Sequence, residues 1–173
     1  MSFEADVIGK LPQLRRYARA LTGDAAWADD LVQDAAERAL VRRKAFEPGS
    51  NLRAWLFTIL RNLYIDQLRA RREIAMDDES APWRSLEAPR GEVDGLVLRD
   101  VQQALYHLSM EQREVILLVG VEELTYQEAS NVLDVPIGTV MSRLSRAREH
   151  MRMLLDVGPA HKPAPLKVVR TKP

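Results

Sequence analysis

The sequence predicts an all-α protein: two small helical domains joined by an acidic flexible linker. Three observations predict it. Apolar residues recur at helical spacing along most of the chain. Aromatic residues are only 6% of the 173, and β-rich runs are few. The periodicity fails between Glu73 and Asp94, where Met76-Asp-Asp-Glu-Ser-Ala-Pro-Trp83 and Glu87-Ala-Pro-Arg-Gly91 read as linker. The expected boundaries are therefore 1–72 for the first domain, 73–94 for the linker and 95–155 for the second domain, with a tail at 156–173.

The first helix is expected over Leu11–Leu21, with Leu11, Leu14, Ala18 and Leu21 on one face and Thr22-Gly23 ending it. Asp24 is placed to cap the second helix. Its apolar stripe is Trp27, Leu31, Ala35 and Ala39, flanked by Val32, Ala36 and Leu40. The opposite face starts acidic (Asp29, Asp30, Asp34, Glu37) and turns basic (Arg38, Arg42, Arg43, Lys44), the order a helix dipole favours. Phe46-Glu-Pro-Gly-Ser-Asn51 is a turn-rich loop, and Asn51 caps a long third helix. That helix buries Leu52, Trp55, Leu56, Ile59, Leu60 and Leu63, and lines its exposed side with Arg53, Arg61, Arg69, Arg71 and Arg72.

In the second domain Leu96, Val97, Val101, Ala104, Leu105 and Leu108 share a face, and Glu111–Val119 opens the next helix. A helix-turn-helix comes next. Thr125 and Glu128 have the spacing of a capping box, in which each side chain satisfies an orphan N–H of the first turn. Val135-Pro-Ile-Gly138 supplies the turn, since Pro136 resists continuing a helix and Gly138 permits tight backbone. The last helix sets Val140, Leu144, Ala147 and Met151 on its apolar back. Thr139, Ser142, Arg143, Arg146 and Arg148 occupy its other faces. Arginine forks suit phosphates and guanine edges, and hydroxyls reach bases or phosphates. A helix entering the major groove needs that division.

Composition bounds the function. Cysteine is absent, which excludes disulfides, thiolate metal sites and cysteine nucleophiles. The three histidines are scattered, and no metalloprotease, phosphate-loop or nucleophile-elbow motif is present. An enzyme is not expected, nor any cofactor or metal. Asp77-Asp78-Glu79 reads as solvated linker rather than a metal site. The acidic N-terminus does not resemble a signal peptide, and no stretch approaches the roughly 20 apolar residues of a membrane span. The cytoplasm is the expected compartment. Net charge is zero, yet charge alternates in blocks of −3 (1–37), +7 (38–72), −9 (73–128) and +5 (129–173). Two basic segments can touch nucleic acid, and the acidic stretch between them reduces loose binding.

Five segments together resemble a known family: Leu11-Pro-Gln-Leu-Arg-Arg-Tyr-Ala-Arg-Ala-Leu-Thr-Gly23, Ala28-Asp-Asp-Leu-Val-Gln-Asp34, Asn51-Leu-Arg-Ala-Trp-Leu-Phe-Thr-Ile-Leu-Arg-Asn62, Leu108-Ser-Met-Glu-Gln-Arg-Glu114 and Gly138-Thr-Val-Met-Ser-Arg-Leu-Ser-Arg-Ala-Arg148. In this order they resemble the extracytoplasmic-function (ECF), group IV sigma factors of bacterial RNA polymerase. The resemblance implies a sigma-2-like bundle that binds core polymerase and recognises and melts the −10 element. It also implies a sigma-4-like helix-turn-helix domain that reads the −35 element.

By the same resemblance, Asp29, Asp30, Leu31, Gln33 and Asp34 would meet the coiled coil of the β′ clamp, and the second domain the β flap. Phe46, Ser50, Asn51 and Asn62 would form the pocket for a base flipped from the −10 DNA, with Arg61, Arg69, Arg71 and Arg72 on phosphates. Trp55 reads as core before base stacking. Met141, Ser142 and Arg146 would face −35 bases or the local backbone, and Thr139, Arg143 and Arg148 phosphates. Met141 replaces a commonly basic residue, Ser130 a common Ala and Asp134 a common Gly. The implied −35 preference is near GGAAC. The linker would run toward the RNA exit channel or serve as a plain tether. An anti-sigma partner is implied, though no feature of the chain identifies one.

Overall fold

The computed structural model describes residues 2–77 and 96–156. Most of the expected linker, Trp83 included, and all of the expected tail after Asp156 lie outside the described residues. Among the described residues the chain is helical: α1 (Phe3–Thr22), α2 (Ala25–Val41), α3 (Leu52–Asp77), α4 (Leu96–His107), α5 (Met110–Val115), α6 (Tyr126–Leu133) and α7 (Ile137–Asp156). A 3₁₀ turn spans Arg43–Ala45, and a π-helical turn, Ile116–Val121, continues α5.

α1 begins at Phe3 rather than Leu11, so Pro12 lies inside it. A proline there removes one intrahelical hydrogen bond and costs about 3 kcal/mol. Burial offsets this. Val7 is buried in register with Leu14, Ala18 and Leu21, and Phe3 packs against the core. A fully buried apolar side chain contributes roughly 1.5–3 kcal/mol. Ser2 caps the new start, its Oγ accepting from the Ala5 N–H at 3.2 Å. At the other end Gly23 takes a left-handed φ of 67° and its N–H returns to the Arg19 carbonyl at 3.0 Å. A Cβ on Gly23 would also sit 2.8 Å from the Tyr106 ring, so a side chain at this helix end is disfavoured for two reasons.

Asp24 caps α2, accepting from the Trp27 N–H at 2.9 Å, and Asn51 caps α3, accepting from the Ala54 N–H at 3.2 Å. α3 runs to Asp77, so its last turns occupy the start of the stretch expected to be linker. Two contacts lie along its far half. The Arg71 guanidinium sits over the Trp27 ring, 3.7 Å from its centroid. Gln67 accepts from the Trp27 indole N–H at 2.7 Å and donates to Asp34 at 3.3 Å.

In the second region α6 carries the expected capping box, with Thr125 and Glu128 bonding each other's backbone N–H at 2.9 and 3.1 Å. The turn differs from expectation in one respect. Its left-handed residue is Asp134 (φ 53°), while Gly138 lies in the first turn of α7 with open space around it. Ser130 helps hold the turn, its hydroxyl donating to the Val135 carbonyl at 2.5 Å.

The two regions are docked. α3 packs on α6, and α1 packs on α5 and the π turn. Leu14, Phe57 and Leu60 of the first region and Val115, Leu118 and Leu144 of the second belong to one continuous apolar core.

Candidate nucleic-acid interface

α7 divides as expected. Val140, Leu144 and Ala147 are buried against the rest of the domain, with Met151 half-buried beside them. Of the six residues expected to meet −35 DNA, Met141, Ser142, Arg146 and Arg148 are exposed, while Thr139 and Arg143 are half-buried. They do not form a single face. Ser142 and Arg146 lie one turn apart, opposite the apolar back. Met141 and Arg148 point into a shallow cleft shared with Tyr126, Ser145, Glu149 and Arg152. Arg143 turns the other way and donates to Glu111 at 3.3 Å. Among the described residues no ion pair engages Arg146 or Arg148, so both guanidiniums are free to take a phosphate or base edge.

The acidic face of α2 is presented as expected, with one correction. Asp30, Gln33 and Asp34 are exposed. Asp29 is half-exposed and accepts from Arg15 at 3.0 Å, and Gln33 donates to Glu37 at 3.1 Å. Leu31 is fully buried in the core. With Ala28 and Ala35, also fully buried, it lines the inner face of α2 and has no surface to offer a partner.

In the loop and α3, Trp55, Asn62 and Arg69 recur every seven residues and share one side of the helix. Asn62 and Arg69 are exposed. Trp55 is half-buried and packs with Phe46, ring centroids 5.4 Å apart. Ser50 is turned into the loop, its Oγ donating to the Glu47 carbonyl at 2.7 Å. Asn51 uses both ends of its amide: the oxygen caps α3, and Nδ2 donates to Glu128 Oε1 at 2.7 Å.

Arg61 departs most from its expected place on the exposed side. It faces away from Asn62, is only 16% exposed, and donates to the buried Glu114 at 2.7 Å. Glu114 stands beside Val115, at the head of an apolar run that packs on the first region. Burial there pushes its carboxyl up from the ordinary range, against the pull of the Arg61 hydrogen bond.

Three further docking residues carried no functional assignment in the sequence. Arg16 grips Glu122 with two bonds of 2.8 Å, the bidentate geometry that suits guanidinium and carboxylate. Arg113, itself buried, donates to the carbonyls of Leu105, Tyr106 and Leu108 and reaches across to Leu21 at 3.4 Å. Desolvation pushes its pKa down. The available signal was position: Arg113-Glu114 and Glu122 flank the apolar run Val115–Val121.

Comparison with known proteins agrees with both halves of this arrangement. Residues 7–61 match the family model of the Sigma2 domain of PhyR, and residues 98–151 match that of Sigma-70, region 4. The ECF RNA polymerase sigma factor EcfG of Rhodopseudomonas palustris is 39% identical over 169 residues, covering 98% of this chain and 93% of that protein. Among solved structures, the sigma factor RpoE of Bartonella quintana, in complex with the anti-sigma factor NepR, superposes with a TM-score of 0.81. It has 39% identity, over 90% of this chain and 98% of that one. CnrH, bound to the cytosolic domain of CnrY, gives a TM-score of 0.66 at 29% identity, over 88% of this chain and 86% of that one. The chain belongs to the ECF sigma factors, the RNA polymerase subunits that direct promoter-specific transcription.

Proposed function

We propose that residues 1–72 bind core polymerase and open the −10 element, and that residues 95–155 read the −35 element. The observation that carries this reading is the pair of donor-rich surfaces on separate regions: Ser142 and Arg146 on α7, and Asn62 and Arg69 on α3. Because each surface lies on a different region, the two can serve two promoter elements once the docked regions part.

Asp29, Asp30, Gln33 and Asp34 suit a charged contact with the β′ clamp coiled coil, and the second region would meet the β flap. Asn62, Phe46, Ser50 and Asn51 would receive a base unstacked from the −10 DNA, whose extrusion costs a few kcal/mol. Arg69 would hold phosphate, making binding salt-dependent. Thr139, Arg143 and Arg148 would hold phosphates around a motif near GGAAC read by Ser142 and Arg146, with Met141 beside them. Asn51 and Arg61 are engaged by Glu128 and Glu114 in the docked chain, so both must be released before either meets DNA. The two solved relatives, each bound to a partner protein, support a cognate anti-sigma factor for this chain. No helix among the described residues is long and apolar enough to cross a membrane, and the expected place of action is with polymerase in the cytoplasm.

The test is run-off transcription with purified core polymerase on a promoter library, with and without this protein. The expected result is specific transcripts only when the protein is added, with start sites defining both elements. No transcripts and no core binding would leave a free-standing helix-turn-helix regulator as the better account.

A further inference from the structure

We propose that Phe3 is a positioning residue for promoter opening: it holds the loop Phe46–Asn51 in place by packing under Phe46. The inference rests on the reading of that loop as the −10 surface. The loop's own hydrogen bonds are local. Ala45 and Phe46 donate to carbonyls three residues back, at 2.8 and 3.2 Å, and Ser50 does the same to Glu47 at 3.1 Å. Bonds of that kind shape a loop without fixing it to the body of the protein. Asn51 reaches Glu128, but that bond belongs to the docked state and must be given up on DNA.

Three other ties remain among the described residues: one runs to Trp55 of α3, 5.4 Å from Phe46 between ring centroids, and two land on the first turn of α1. The Phe46 ring packs against Phe3 at 5.7 Å between centroids, and Arg43 donates to Glu4 at 3.3 Å. Their strengths differ. Arg43 and Glu4 are 61% and 48% exposed, and ion pairs in that setting contribute little. Phe3 is half-buried, packs on the core and also meets Trp55 edge-on at 6.3 Å. Phe46 is not itself packed on the buried core and reaches it through Phe3 and Trp55. Trp55 adjoins the loop on α3, whereas Phe3 arrives from the start of the chain. Phe3 is therefore the distant anchor, and the Ser2 cap fixes the turn that carries it.

The test uses the full chain with core polymerase and a promoter found by the library experiment. The promoter is supplied as intact duplex and as a template already unpaired across the −10 element. Phe3→Ala is expected to lower initiation on duplex roughly tenfold, with activity on the unpaired template and affinity for core unchanged. Phe3→Tyr should restore duplex activity, because it restores the ring. Phe3→Leu, which keeps most of the apolar volume, should fold even if the alanine variant does not, and should show a smaller loss confined to duplex. Equal losses on both templates, or no loss on duplex, would overturn the proposal. Asn62→Ala run in parallel separates the two readings. A duplex-specific loss for Asn62→Ala alone removes Phe3 and keeps the loop's assignment. Indifference of both removes both.

Discussion

In the first region the buried side chains among the described residues are aliphatic or aromatic apart from Thr22, whose hydroxyl donates to the Asp24 carbonyl at 2.9 Å. In the second region Arg113, Glu114, Glu122 and Ser130 are all buried. Glu114 and Glu122 find their guanidinium partners on the first region, in Arg61 and Arg16. Three long helices around leucine, alanine and aromatic side chains bring no buried charge to the core they share with the second region. The smaller region completes its core by docking. In the docked chain the two sides of these pairs differ in burial: Arg16 is 57% and Arg61 16% exposed, whereas Glu114 and Glu122 are each 1% exposed, so losing either guanidinium strands a buried carboxylate.

Breaking one of these pairs should have the largest effect. Arg61→Ala leaves Glu114 without its partner and should cost about 3 kcal/mol in chemical denaturation. Adding Glu114→Gln should recover part of that, since a neutral amide tolerates burial better. If the double variant is no better than the single one, the charge is not what the interface answers. Gly23→Ala strains a left-handed residue and drives a methyl into Tyr106, with an expected loss of about 2 kcal/mol in the same measurement. Tyr106→Ala in the same chain should relieve the clash and leave only the backbone strain.

Arg146→Ala tests the opposite side of the comparison, a residue the second region leaves free. It should weaken promoter-dependent initiation by about 1–3 kcal/mol and leave the denaturation midpoint unmoved. Wild-type activity would remove Arg146 from the DNA surface. Thr125→Ala removes one half of the capping box and should cost about 1 kcal/mol of stability.

The smallest effect is read by carboxyl titration. The Asn51 hydrogen bond and the Thr125 contacts hold the Glu128 carboxyl below its usual range, so its contribution is present above the ordinary pKa and lost as pH falls through the lowered one. Glu114 has the opposite sign: its pKa is raised by burial, so its contribution is full at acid pH and fades as pH rises through the raised value. The two carboxyls should titrate in that order, Glu128 first and Glu114 last.

The sequence made the local devices readable because their partners lie within one turn. Asp24, Asn51 and the Thr125–Glu128 box all cap as their spacing says, and the apolar back of α7 keeps its period. It misled where a local rule met a distant contact. The first helix was expected to start at Leu11, but burial of Val7 and packing of Phe3 carry it back to Phe3, through Pro12. For Leu31 the apolar period of the second helix was right, and it was the family resemblance that put the residue on the surface. Arg61 looked solvent-facing because its partner, Glu114, is 53 positions away along the chain. The candidate surfaces on α7 and α3 were legible as faces of helices. The docking that covers Asn51 and Arg61 was not, since nothing local marks which acidic residue answers which basic one.

The π turn sets a further condition on this docking. At Ile116–Val121 the backbone bonds five residues back, the Glu122 N–H meeting the Leu117 carbonyl at 2.8 Å. Such a turn holds one more residue than an α-helical path between the same points. A chain shorter by one there would close into ordinary helix and rotate α6 and α7 by about 100° relative to α5. Glu122 would swing off Arg16, and the α6 cap would lose its register with Asn51. In this segment the number of residues is constrained as well as the identity of the buried Leu117 and Leu118.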